Sequence, residues 1–319
     1  MKRKQIIAEN EISEIREFIL GGFAQKVALD GKKRSNPVVI FLHGGPGSPI
    51  PFSVGCRGMF PEITETVTMV YWDQLGCGIN NRPIDDDFRI QNFVEMTRDL
   101  IIQIRQLFPN NKLLLFGVSW GSILALRAVT EYADLVDGVV TYGQVLYDLT
   151  FNEEVYKALN ASPMPAKKKQ ELREIQKYSS HTINEEEKVM KWIGQYTEGY
   201  QCKSGGKLPI GSVMWGLLTS PDYHLKDFKA VVVNGYQKNK SLIEELFRVD
   251  LRSNLKQVAV PYKIMQGSTD LVTPTKMIMD FVKEIENPYV SCQIVENCGH
   301  MPDVKGMNEI VEAISKWKD

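Results

Sequence analysis

The stretch Leu113-Leu114-Leu115-Phe116-Gly117-Val118-Ser119-Trp120-Gly121-Ser122 decides how this 319-residue chain is read. Leu113 to Phe116 is a short, uniformly apolar run, which predicts a strand buried on both faces and stopping at Gly117. Ser122 to Tyr132 reads as a helix that starts just after Gly121. Strand, sharp turn and helix therefore meet at Ser119, with glycines on both sides where a Cβ would collide. The free N–H groups of the first helical turn converge on the same point.

Working outward, the same alternation repeats. Val38 to Leu42 predicts a strand that ends in His43-Gly44-Gly45-Pro46-Gly47. Val67 to Trp72 predicts another, stopping at Asp73-Gln74-Leu75-Gly76, and Val139 to Tyr142 a further one, stopping at Gly143. Between Ile90 and Phe108, Phe93, Leu100, Ile101, Ile104 and Leu107 recur at helical spacing before Pro109-Asn110-Asn111 breaks the chain. After Pro261 come strand Tyr262 to Gln266, helix Thr275 to Ile285, strand Tyr289 to Val295 and helix Met307 to Trp317. The expectation is an α/β fold with a mostly parallel central sheet flanked by helices.

One interval breaks the alternation. From about Tyr147 to Arg248 the sequence is helix-like and rich in lysine and glutamate, with its clearest helices at Lys167 to Lys177 and Asn184 to Tyr196. Lys203-Ser204-Gly205-Gly206-Lys207 reads as a loop and Val231-Val232-Val233 as a possible short strand. This predicts a core of residues 1–145 and 250–319 with a helical cap inserted at 146–249. Inserts over the carboxyl ends of strands commonly act as lids.

Bulk properties narrow the partners. A net charge of −1 supplies no field for nucleic acid or an anionic membrane, so a small-molecule or short-peptide substrate is expected. The composition, 43% hydrophobic and 24% charged, is that of a soluble globular protein. Cys56, Cys77, Cys202, Cys292 and Cys298 are odd in number and scattered, which reads as thiols in a reducing compartment. Met1-Lys2-Arg3-Lys4 is not followed by the apolar stretch of a secretory signal, because Glu9, Glu11 and Glu14 interrupt it. No uncharged apolar run is long enough to cross a bilayer, and a cytoplasmic location is expected. Oligomeric state is left open.

Gly117-Val118-Ser119-Trp120-Gly121 matches G-x-S-x-G in the strand–helix context that a nucleophile elbow needs. The pentapeptide alone would occur by chance in roughly one chain in ten of this length, so position has to carry the argument. A serine nucleophile needs a base. Of His43, His181, His224 and His300, the last follows the final strand in a loop that can reach the carboxyl end of the sheet. The base needs an orienting carboxylate, and Asp270 follows strand Tyr262 to Gln266 through Gly267-Ser268-Thr269. Asp250 is the rival, and Asp303 lies near His300 in sequence. The order Ser119, Asp270, His300 is that of α/β-hydrolases. For the oxyanion hole, the Trp120 N–H supplies one donor and Gly45 the expected second, with Gly44 as the alternative. No H-E-x-x-H or paired Cys/His set suggests a metal, the P-loop lysine is missing, and Gly76-Cys77-Gly78 lacks the third glycine of a dinucleotide fingerprint. The chemistry requires no cofactor.

His43-Gly44-Gly45-Pro46-Gly47, Asp73-Gln74-Leu75-Gly76-Cys77-Gly78 and Gly117-Val118-Ser119-Trp120-Gly121-Ser122 together resemble the proline iminopeptidase branch of the α/β-hydrolases. The resemblance covers about residues 35–145 and 255–319. It implies a Ser119, Asp270, His300 triad, an oxyanion hole at Gly45 and Trp120, a helical cap, no cofactor, and release of N-terminal residues from short peptides. Two features depart from the family pattern. Leu75 stands where arginine is usual and Asn80 where serine is usual, and the cap's Trp192-Ile193 and Trp215-Gly216 replace a Trp-Glu pair whose glutamate holds the free amine. Glu153, Glu154 and Glu198 are the substitutes considered for that glutamate. The competing readings are a carboxylesterase or lactonase using the same triad and, as a different class, a ligand-binding protein without useful turnover.

Overall fold

The computed structural model describes residues 3–178, 181–202, 209–233, 236 and 239–317. Its sheet contains β1 (Ile12–Leu20), β2 (Phe23–Gly31), β3 (Val38–Leu42), β4 (Thr68–Tyr71), β5 (Leu113–Val118), β6 (Gly138–Tyr142), β7 (Tyr262–Gly267) and β8 (Val290–Val295). They lie in the order β1-β2-β4-β3-β5-β6-β7-β8. The strands from β3 onward pair in parallel, and β1 and β2 are antiparallel.

The period of two along β3 explains the layers. Val38, Ile40 and Leu42 enter one apolar cluster and Val39 and Phe41 the other, so the strand is buried on both faces. The first cluster is closed by α3 (Ile90–Leu107), α4 (Trp120–Glu131) and α12 (Thr275–Ile285), the second by α13 (Val304–Ser315). Short helices α1 (Arg3–Glu9), α2 (Pro61–Thr64) and α11 (Arg252–Lys256) complete this part.

The hairpin β1–β2 lies outside the sequence reading, which starts the sheet at Val38. Its signal was a Gly-Gly pair, Gly21 (φ 56°) and Gly22 (φ 81°), whose left-handed backbone makes the tight hairpin turn. The flanking segments carry enough charge at Glu14, Arg16 and Glu17 to hide the strand pattern, because only Ile12, Phe18 and Leu20 of β1 are buried.

Between β6 and β7 lie α5 (Glu153–Ala161), α6 (Ala166–Gln176), α7 (Ile183–Tyr196), α8 (Ile210–Leu218), α9 (Leu225–Val232) and α10 (Lys240–Phe247). The helices expected at 167–177 and 184–196 are α6 and α7. The strand expected at Val231 to Val233 is a correction: Val231 and Val232 end α9. That helix is started by Asp227, whose carboxylate accepts the His224 N–H, and Val232 and Val233 are exposed rather than buried in a sheet. The loop expected at 203–207 lies outside the described residues. Helices α5 to α7 share a small core of Val155, Leu159, Leu172, Val189, Trp192 and Ile193, which also takes in Val272.

Polar contacts fasten this helical interval to the rest. Arg57 grips Asp222 through two bonds of 2.9 and 2.5 Å, both side chains largely buried. Arg3 donates to the carbonyls of Gly55, Arg57 and Gly216. Tyr223 donates its hydroxyl to Asp73. Removing one member of a buried ion pair leaves the other charge uncompensated, at a cost of about 3–5 kcal/mol. Asp222→Ala should lower the unfolding free energy by that order in denaturant titrations, and Arg57→Met combined with Asp222→Leu should recover most of it. A loss under about 1 kcal/mol for the single variant would mean that the pair anchors nothing.

Candidate active site

The turn after β5 brings the backbone closer than side chains allow. A Cβ at Gly121 would lie 1.8 Å from the Leu42 carbonyl oxygen, and one at Gly117 would lie 2.6 Å from the Gly121 oxygen. Both contacts are with backbone, which cannot swing away, so both glycines of the G-x-S-x-G stretch are sterically required. Ser119 between them takes φ 50°, ψ −115°, a left-handed conformation that costs a non-glycine residue about 1–3 kcal/mol. Its surroundings fix it there: Ser119 N–H donates to the Tyr142 carbonyl at 3.0 Å, and the Ser119 carbonyl accepts from Ser122 N–H at 2.8 Å and Ser122 Oγ at 2.6 Å. The Ser122 Oγ in turn accepts from Val145 N–H at 2.9 Å.

His300 Nε2 lies 2.9 Å from Ser119 Oγ, and His300 Nδ1 lies 2.9 Å from Asp270 Oδ2. Facing a carboxylate, Nδ1 carries the proton, which leaves Nε2 free to accept from the serine hydroxyl. Asp270 is 1% exposed and its oxygens are fully engaged. Oδ1 accepts from Val272 N–H and Thr273 N–H at 2.8 and 3.0 Å, while Oδ2 also accepts from Thr273 Oγ1 at 2.7 Å and Gln266 Nε2 at 3.1 Å. The expected Ser119, Asp270 and His300 are thus brought together. Asp250 is instead an exposed partner of Arg252, and Asp303 caps α13 through Gly306 N–H at 2.7 Å.

Sequence reasoning missed what holds His300. Its N–H donates to the Gly199 carbonyl at 3.0 Å, and the next N–H, that of Met301, to Tyr200 at 2.8 Å. A Cβ on Gly299 would lie 2.7 Å from the Glu198 oxygen, so residues 198–200 press directly on the histidine loop. This long-range docking leaves no periodic or motif signal in the sequence.

The glycine loop after β3 lies opposite. A Cβ on Gly44 would sit 3.5 Å from the Ser119 Cβ, and Gly45 has φ 118°, open to glycine alone. Gly44, Gly45 and Trp120 all line the cavity at the serine. His43 braces this loop and does no acid–base work. Its Nε2 accepts from Gln74 N–H at 3.1 Å, so Nδ1 carries the proton and donates to the Gly44 carbonyl at 2.9 Å. Complete burial pushes its pKa down to about 4. Gln74 also accepts from the Trp120 indole N–H at 2.8 Å, which couples the loop after β4 to the elbow. His181 stacks on Phe151, and His224 precedes α9.

The two departures from the family pattern in the 73–80 segment are structural. Leu75 is buried in the main core, and Asn80 bridges Lys26 and the Asp73 carbonyl. Of the glutamates considered, Glu153 and Glu154 line a separate hollow beside α12, and Glu198 another beside Thr269. The cavity at Ser119 has a volume of about 500 Å³ and is walled by apolar side chains including Val145, Leu149, Met190, Leu246 and Phe247. Glu187, on α7, is the one acidic side chain among the described residues lining it.

Against this geometry, the α/β-hydrolase fold family profile matches residues 37–303, and the chain belongs to that family. It is a hydrolase, similar along nearly its whole length to proteins named aminopeptidase and proline iminopeptidase. It is 25% identical over 316 residues to the "Probable aminopeptidase YbaC" of Bacillus subtilis, covering 97% of each chain. It is 23% identical to the proline iminopeptidase of Heyndrickxia coagulans, covering 94% of this chain and 96% of the relative. Among solved structures, the proline iminopeptidase of Mycobacterium smegmatis superposes with a TM-score of 0.64 at 16% identity, over 95% of this chain and 97% of that one. VinJ gives 0.62 at 18% identity, over 96% and 97%. No helix among the described residues is long and apolar enough to cross a membrane.

Asp73, two residues past the end of β4, makes a pH prediction. Its carboxylate accepts from Val54 N–H at 2.9 Å, Ile79 N–H at 3.0 Å and the Tyr223 hydroxyl. Burial dominates and raises its pKa to about 6, with these donors offsetting part of the rise. A carboxyl that holds its proton more tightly when folded stabilises the fold fully below its ordinary pKa of about 3.9. That contribution is lost as pH rises through about 6. Asp73→Asn should flatten this fall in unfolding free energy between about pH 4 and 6, measured by denaturant unfolding at each pH. A slope unchanged from wild type would count against it.

Proposed function

We propose that the chain is a serine hydrolase of aminopeptidase type, which removes an N-terminal residue, proline among them, from short peptides. The observation that carries this is the unbroken relay of 2.9 Å contacts from Ser119 Oγ to His300 and from His300 to Asp270, beside a glycine loop. Ser119 Oγ attacks the substrate carbonyl as His300 Nε2 takes its proton. The oxyanion formed is held by the N–H groups of Trp120 and Gly45. His300 then returns the proton to the leaving nitrogen, the C–N bond breaks, and an acyl-enzyme remains on Ser119. Water, activated by His300, hydrolyses that ester and restores the serine. Asp270 holds the imidazole in the required tautomer and stabilises the imidazolium.

In this reading residues 1–145 and 250–319 are the hydrolase core, and residues 146–249 are a cap over the site. Glu187 on that cap receives the substrate's free ammonium group. An ammonium entering a largely apolar cavity needs a paired charge, and Glu187 is the carboxylate available there among the described residues. The relatives named as aminopeptidase and proline iminopeptidase support the amine requirement. The thiols of Cys56, Cys77, Cys292 and Cys298 suit a reducing, cytoplasmic setting.

Ser119→Ala should lower kcat on the order of 10⁶-fold and abolish labelling by a fluorophosphonate probe that marks the wild type. Labelling that survives the substitution would remove Ser119 from the chemistry. Glu187→Gln should raise KM for proline or alanine arylamides about 10- to 100-fold, the equivalent of losing a hydrogen bond to a charged group, with little change for short acyl esters. Equal wild-type rates on free and N-acylated arylamides would rule out the aminopeptidase reading. Brisk ester turnover without arylamide cleavage would select a carboxylesterase or lactonase.

A further inference from the structure

A second cavity, of about 190 Å³, adjoins the catalytic one. The two share Ile50, Ile210 and Met301 as walls. Beyond them the second is lined by Phe52, Phe60, Val213, Val304, Met307 and Val311, with Glu62 and Asn308 also on its wall. Its volume exceeds the ~150 Å³ of an apolar cavity that admits benzene. Its aromatic wall is held by packing. The Phe52 ring meets Phe60 edge-on at 5.0 Å and Phe41 at 5.2 Å, so this wall is formed before anything binds.

The junction identifies which part of a substrate reaches it. When the acyl–nitrogen bond breaks, His300 Nε2 hands its proton to the leaving atom, which must then lie within about 2.6–3.2 Å of that nitrogen. Met301 is the residue immediately after His300, and its side chain lines both cavities. Its backbone is fixed by the 2.8 Å bond to Tyr200. Glu187 and Met190 line the catalytic cavity only. The leaving group is thus released next to the shared wall, while the proposed amine partner belongs to the first cavity alone.

We propose that the second cavity is the leaving-group subsite, and that it takes a bulky apolar side chain, of leucine, methionine or phenylalanine size, from the residue released in the first step. The assignment rests on the acyl-transfer reading above. Apolar walls with little competing polarity favour expelling water for such a group, and a well-fitted methylene in an enzyme pocket is worth about tenfold or more in selectivity.

The test compares dipeptide amides that share N-terminal alanine and differ in the second residue, glycine against leucine and phenylalanine. A parallel series uses acetyl esters of methanol, butanol and hexanol. Wild-type kcat/KM should be at least about tenfold higher for the bulky apolar leaving groups. Val213→Trp and Met307→Trp, on α8 and α13, line only the second cavity and should fill it. Each should cut the preference to about twofold or less while leaving the glycine and methanol substrates unchanged. A flat wild-type series would overturn the proposal without any variant. So would variants that process the small substrates normally and keep the preference. Leaving-group selectivity in the esters with inert peptides would remove the aminopeptidase reading and leave the subsite standing. Turnover in neither series would overturn both.

Discussion

Everything at this site depends on the contact between the first turn of α4 and the end of β3. The backbone of Gly121 lies so near the Leu42 carbonyl that no side chain fits between them. That approach sets the helix across the carboxyl edge of the sheet and lifts Ser119 above it in a strained conformation. It also places the start of α4 beside the loop that follows β3, since Gly44 and Ser119 are neighbours. Ser119 and the glycine loop are therefore positioned by a single steric constraint. A helix displaced outward by one methyl group would move both, and a misplacement of about 1 Å can cost on the order of a hundredfold in rate.

Much of this was legible in the sequence because each part is local. Uniform apolar runs marked β3 to β6, the returning strand–helix alternation marked β7 and β8, and the glycines at 117 and 121 marked the elbow. The order Ser119, Asp270, His300 could be read because each residue follows a strand within a few positions, and parallel strands deliver their ends to one edge. The hairpin β1–β2 was not read, because its outer strand sits at the edge of the sheet and alternates too weakly for a period-two pattern to stand out. The clamp of residues 198–200 on His300 was beyond reach for another reason: the groups involved are backbone carbonyls, which any residue supplies.

Glu187 shows the same division at the cavity wall. On α7 it is one of three consecutive glutamates, and nothing in Glu185-Glu186-Glu187 distinguishes the one that borders the cavity at Ser119. Glu185 caps the helix through Thr182, so the first of the run is tied to local structure. How α7 rotates to bury Val189, Trp192 and Ile193 in its own core decides which neighbour reaches the cavity: Glu186 is half-buried, and Glu187 borders the cavity while staying exposed to solvent. The carboxylate's position is a consequence of apolar packing, and helical phase can be read from a sequence only when the buried face is already known.

The proposed chemistry and the proposed specificity therefore rest on different kinds of constraint. Ser119, His300 and Asp270 are held by short backbone contacts and a saturated buried carboxylate, an arrangement in which few substitutions are neutral. Asp270 alone has four donors besides His300. The cavity walls are instead drawn from α7, α8, α10 and the loop after β3, elements that meet mainly through apolar side chains. Apolar walls tolerate changes of volume at modest cost. In the proposed reaction the bond-breaking groups can then stay fixed while the room for acyl and leaving groups is reshaped, because most of the cavity wall, including the shared Ile50, Ile210 and Met301, comes from side chains outside Ser119, His300 and Asp270.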